Sequence, residues 1–112
     1  MIPRAIAFCL LLLANLTVVV AARADTAPVL TIWRLLDYMA IDYREAVLDG
    51  AVISASEYAE MVEFVGSMKD RLDALPPSSV KADLQKQAAD LQVAIGRKAA
   101  PELVATLARS LA

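Results

Sequence analysis

From Pro28 onward the apolar positions recur every three to four residues, the period of an amphipathic helix with one buried face. Four such segments follow one another. The first is predicted from Pro28 to Leu48, with Ile32, Leu36, Met39, Ala40, Tyr43 and Val47 on its apolar face. Gly50 is placed to stop it, since glycine accepts the left-handed conformation that ends helices. The second begins at Ser54, where Ser54-Ala55-Ser56-Glu57 reads as a capping box with Glu57 reaching back to the cap. Its apolar face is Tyr58, Met61, Val62, Val65, Met68, Leu72 and Leu75, and Pro76-Pro77 ends it. Gly66 inside it costs about 1 kcal/mol relative to alanine. Either it lets another helix approach closely, or it is simply tolerated.

The third helix is predicted after Ser78-Ser79, a capping pair, with Val80, Leu84, Ala88, Leu91 and Ile95 as its stripe. Gly96 or the Ala99-Ala100 step ends it. Pro101 suits the first turn of the fourth, which buries Leu103, Val104, Leu107 and Leu111. No strand-like alternation, repeat or long linker is visible. Short connections favour antiparallel neighbours, so the expected fold is all-α: a small up-and-down four-helix array built of two helical hairpins. The alternative is the same two hairpins packed less regularly.

The residues before Pro28 have another character. Arg4 is the only charge before Arg23, and Ala5 to Ala22 carries none. Ala22-Arg23-Ala24 then supplies a small-x-small step, and polarity begins at Asp25. A charged start, an apolar centre and such an end are the parts of a secretory signal. The predicted division is therefore a signal peptide over 1–24, cleaved after Ala24, and a helical domain over 25–112, periplasmic or secreted. The alternative is an uncleaved N-terminal membrane anchor, for which 18 uncharged residues are at the lower limit of length. Asn15 and Thr17 weaken a span, and no basic cluster follows it. Cys9 lies too early in the apolar run for a lipoprotein cleavage site.

Cleavage at Ala24 leaves 88 residues with nine basic and thirteen acidic side chains, a net charge of −4. That balance argues against nucleic acid as a partner and admits cations or cationic surfaces. The 88 residues hold neither Cys nor His. There is then no disulfide, no thiolate nucleophile, no histidine base and no nitrogen or sulfur metal site. No nucleotide loop or nucleophile elbow occurs either. Acids and tyrosines alone make a thin catalytic set, so the chain is not expected to be an enzyme.

What remains is oxygen chemistry, concentrated between Trp33 and Phe64. At 100° per residue, Tyr38, Asp42, Glu45 and Asp49 fall within about 60° of one another on the first helix. Glu60 and Glu63 make a second acidic strip about 60° wide on the next. Two such strips facing each other would suit a hard cation, ferric iron or calcium. The candidate metal residues are thus Asp42, Glu45, Glu60, Glu63 and Tyr38. The plain alternative is a solvated polar face whose carboxylates keep the domain soluble. Tyr43 and Tyr58 fall on apolar faces and are expected in the core with bonded hydroxyls. Trp33 is expected as a packing anchor, and Met61 and Met68 as core rather than soft-metal ligands. Asp37 and Arg44 share a side of the first helix but stand one turn too far apart to pair well.

The run LLDYMAIDYREAVLDGAVISASEYAEMVEF resembles the extracytoplasmic helical segment of bacterial high-affinity iron permeases, the oxidase-dependent iron transporter family. The matching pattern is a D-Y-x-x-x-D-Y helix, a glycine turn and E-Y-x-E-x-x-E-F. Here these are Asp37, Tyr38, Asp42, Tyr43, Gly50, Glu57, Tyr58, Glu60, Glu63 and Phe64. The permease helices and the paired R-E-G-L-E-type motifs are missing, so transport itself does not carry over. The resemblance implies an exported accessory domain, standing alone or cut from a longer gene. Its implied cargo is iron, and its implied partner is a membrane iron permease or another exported protein. A structural module packed on such a partner, without a metal site, is the other function the sequence supports.

Overall fold

The computed structural model describes residues 27–112, and the predicted leader with its cleavage after Ala24 lies outside them. Helix α1 covers residues 27–46. A two-residue hairpin follows, Val47–Leu48 (β1) against Ala51–Val52 (β2). Then come Ala55–Asp73 (α2), Lys81–Gly96 (α3) and Pro101–Leu111 (α4). α2 packs on α3 and α3 on α4, and α1 adds its apolar face to the same core. The connections are short and the helices alternate in direction, as expected of a four-helix array.

The first helix ends earlier than its apolar period suggests. Asp49 and Gly50 both take left-handed backbone, at φ 52° and 76°. Two consecutive positive φ values between paired strands make a tight hairpin turn, for which Asp-Gly is a favoured sequence. Gly50 therefore turns a hairpin rather than capping a helix. The expectation of no strand is corrected to one minimal antiparallel pair, with Val47 opposite Val52 and Leu48 opposite Ala51. The short apolar run Val47-Leu48 fits either period, and the turn chemistry decides.

The capping box at α2 is half formed. The Ser54 hydroxyl accepts from the Glu57 backbone N–H at 3.3 Å. The reciprocal arm is not needed, because the Ser54 N–H already donates to the Ala46 carbonyl at 3.4 Å. At the other end of α2, the Lys81 ammonium donates to the carbonyls of Asp73 and Leu75, at 2.8 and 2.7 Å. It satisfies two acceptors that a helix end leaves open and sits at the negative end of the helix dipole. The expected Ser78-Ser79 cap on α3 is not made. Val80 occupies the N-cap without a side-chain bond. α3 closes after Gly96 with Lys98 left-handed at φ 58°. Ala99 N–H bonds back to Ala94 O at 2.9 Å and Lys98 N–H to Ile95 O at 3.1 Å, the two bonds of a Schellman ending.

The core is Ile32, Leu36, Met39, Tyr43, Ala46 and Val47 from the first segment, with Met61, Val65, Met68 and Leu72 from α2. Ala88, Leu91, Ala94, Ile95, Val104 and Ala108 complete it. Val62, Val80 and Leu103, expected inside, are exposed, and small Ala46, Ala94 and Ala108 are buried in their stead. Close helix approach favours alanine at the seams. Gly66 is not such a seam: a methyl group added there meets nothing within 4 Å. Tolerance is the reading that holds. Gly66→Ala should raise stability by about 1 kcal/mol, read from thermal or urea unfolding.

Candidate functional site at the α1–α2 face

Tyr43 and Tyr58 set the end of the bundle at which the acidic residues gather. The buried Tyr43 hydroxyl donates to Ala99 O at 2.8 Å, tying the C-terminal end of α1 to the α3–α4 junction. Burial, then the neighbouring Tyr58, pushes its pKa above the usual tyrosine value, so it stays a neutral donor. Tyr58, at the start of α2, donates to Ile95 O at 2.9 Å. Lys98 Nζ lies 5.6 Å from the centre of its ring. Both tyrosines are thus structural, as their apolar positions predict.

With those ends held, α1 and α2 lie side by side. Their meeting line is marked by Tyr38 against Phe64, ring centroids 6.0 Å apart and tilted by 31°. Toward the hairpin end the same face carries Asp42 and Glu45 from α1 and Glu57 and Glu60 from α2. Their proximity is visible in Glu57, whose carboxyl is pushed above the ordinary 4.5. The causes in order are partial burial, the negative charge of Glu60, then that of Glu45 and Asp42, and hydrogen bonding with Glu60. The charges of Asp42 and Glu45 on α1 thus reach Glu57 on α2.

Not every sequence-predicted residue joins them. Asp42 is half-buried, Glu45 and Glu60 are exposed, and Tyr38 is about half open. Asp49 sits in the hairpin turn, since the helix on which its angle was reckoned ends at residue 46. Glu63 is exposed and about 100–120° around α2 from Phe64 and Glu57, so it points away from α1. Asp37 is on the opposite flank of α1, lining a cavity with Trp33 and Arg109. Trp33 is largely exposed rather than an interior anchor, and its indole N–H donates to Ala112 O at 3.4 Å. Glu57 is the residue that sequence reading assigned to capping and the structure assigns to the face. The signal was there in Glu57, Glu60 and Phe64, an i, i+3, i+7 row facing one neighbour.

Chemically, this is a shallow, open face of carboxylates with one phenol at its edge. Among the described residues no group of three or more carboxylates is drawn together closely enough to hold a metal ion as it stands. The face also works against folding at neutral pH. A carboxyl with a raised folded pKa contributes stability that is fully present below about pH 4.5 and is lost as pH rises through its folded value. Glu57→Gln should therefore stabilise the domain relative to the parent at pH 7, with the difference vanishing below pH 4.5, as followed by melting temperature across that range.

Among the described residues no helix is long and apolar enough to cross a membrane. No curated protein and no solved structure matches the chain. A family profile does, over residues 20–112, which takes in all four helices and the acidic face. The four-helix array and the D-Y and E-Y patterns on its first two helices thus have their place: the chain belongs to the iron permease-associated four-helix bundle domain family.

Proposed function

We propose that this domain works outside the cytoplasm as a non-catalytic accessory of iron uptake, gathering ferric iron at the α1–α2 face and passing it to a membrane permease. Iron is cargo in this reading, not a resident cofactor. The observation that carries it is that Asp42 and Glu45 of α1 and Glu60 of α2 all act on Glu57, whose carboxyl is raised above its ordinary value. Family membership ties the bundle to iron permeases. A hard trivalent ion is the ligand that such an oxygen-only set prefers. The open spacing supports a weak, exchangeable contact, completed by side-chain rotation and by water or a chelator, as transfer requires. The leader over 1–24, cleaved after Ala24, would deliver the domain to that compartment.

The test is a fourfold amide variant: Asp42→Asn, Glu45→Gln, Glu60→Gln and Glu63→Gln. It should lose saturable heat with ferric citrate while keeping its helical circular dichroism. Unchanged affinity in a folded variant sinks the proposal. Glu63→Gln alone should have the smallest effect, since that side chain points away from the α1–α2 line.

The second reading is an interaction module whose carboxylates only keep it soluble while it packs on a permease or another exported protein. The observation in its favour is the absence, among the described residues, of a ready three-carboxylate cluster. A fourfold variant that still binds membranes carrying the permease, with no metal heat from the parent, would select it.

A further inference from the structure

The flank of α1 that faces α4 is unlike the rest of this acidic molecule. It carries three large apolar side chains left in water, Leu30 at 56% exposed, Trp33 at 57% and Ile41 at 48%, and Leu48 of β1, 51% exposed, continues it. Beside them, between α1 and α4, lies a groove with Ala40, Ala105, Arg44 and Leu48 in its lining and a cavity of about 460 Å³. The neighbouring stretch of the groove is floored by Ala40 and Ala108. Contiguous exposed apolar surface of this kind marks an interaction site. Its charges balance, with Arg44 and Arg109 against Asp37 and Glu102.

Asp37 and Arg44 are also unused within the fold. The one ion pair among the described residues is Lys86–Asp90. Arg44 Nε only turns back to the Ile41 carbonyl of its own helix, at 3.3 Å. Separated by seven residues on one side of α1, the acid and the base do not reach each other, yet they are placed to pair with a second copy running the other way.

We propose that this flank of α1 is a self-complementary dimer interface, occupied by the same flank of a second copy of this chain in antiparallel orientation. The register follows from the sequence. A two-fold axis between Ala40 and Ile41 sets each residue from 35 to 46, where both copies are helical, opposite the one whose number makes 81 with its own. Asp37 then meets Arg44 of the other copy, and Arg44 meets its Asp37. Ile41 drops over Ala40 of the other copy, and Trp33 lies toward the hairpin end that carries Leu48. An isologous interface requires just such reciprocity, residue i on j and j on i. This one register satisfies both charge pairs and sets Ile41 against Ala40 on either side of the axis.

Charge exchange tests this on the full chain, with circular dichroism as the check on folding. Sedimentation equilibrium should find a concentration-dependent dimer for the parent. Asp37→Arg and Arg44→Asp, each alone, put like charges together twice and should weaken the dimer by at least about tenfold. The double exchange should restore it to within about threefold of the parent, because the pairs re-form with reversed sign. Mixing the two single variants should yield a heterodimer that neither forms alone. A parent chain that stays monomeric, or a dimer insensitive to both single variants, overturns the proposal. So does failure of the double exchange to restore a folded variant. None of these readouts depends on iron, so they stand apart from the metal test.

Discussion

Tyr43→Ala should bring the domain close to unfolding at physiological temperature. Tyr43 is the largest fully buried side chain, with 1% of its surface open, and it sits where α1 meets the α3–α4 junction. Truncating a buried aromatic to alanine costs about 3–5 kcal/mol in transfer free energy and cavity. The change also removes the hydroxyl that donates to Ala99 O, leaving a partly buried carbonyl short of a donor. A domain of this length has only about 4–13 kcal/mol in hand. At about 4–8 °C per kcal/mol for domains this small, the melting temperature should fall by at least about 12 °C. Tyr43→Phe separates the two contributions. It keeps the ring and loses the bond, so it should cost about 1–1.5 kcal/mol. A Tyr43→Ala variant within about 1 kcal/mol of the parent would mean that α1 is not seated as described.

Leu91→Ala is expected to be nearly as severe, for a different reason. Leu91 lies at the centre of α3, the helix that packs against both α2 and α4, and none of its surface is open. Its loss opens a cavity shared by several helices, and such a site collapses poorly, so the upper part of the about 2–5 kcal/mol range applies. Urea unfolding should show a lower midpoint with an unchanged slope, since the surface exposed on unfolding is the same. Val93→Ala, two residues away on the exposed side of α3, is the control and should stay within about 0.5 kcal/mol. Equal effects at the two positions would mean that α3 is rotated from its described orientation.

Most of this architecture could be read from the order of residues because the helical period is strong and prolines mark its breaks. Ile32, Leu36, Met39 and Tyr43 repeat at 3–4 residues over three turns, and each is buried. Pro76-Pro77 and Pro101 lie at boundaries that no helix could cross or begin otherwise. The errors occur where local chemistry and tertiary packing compete. Val47-Leu48 continues the apolar period of α1, but Asp49-Gly50 turns the chain back and makes it a strand. Val62 and Val80 have core hydrophobicity, yet the helix seams run through Ala46, Ala94 and Ala108. Seam positions follow from how the helices are rotated, which a one-dimensional period does not encode.

The candidate site was legible as two strips and not as one face. Asp42, Glu45 and Glu60 follow from helical arithmetic alone. Glu57 does not, because its place three residues after Ser54 explains it fully as a cap partner. Only the Ser54 N–H bond to Ala46 O, made by the hairpin, frees that carboxylate for the face. Asp49 leaves the strip with the helix end, and Glu63 lies about 100° around α2 from Phe64, since a strip's width on one helix says nothing about where the next helix lies.

The central claim is that the α1–α2 carboxylates take up ferric iron, and calorimetric titration of the protein with ferric citrate, with calcium and zinc as controls, tests it most directly. Saturable heat near one ion per chain, weakened as pH falls through the carboxylate range, is the predicted result. No heat from any of the three metals would contradict it, and would leave a helical module whose business is with a protein partner.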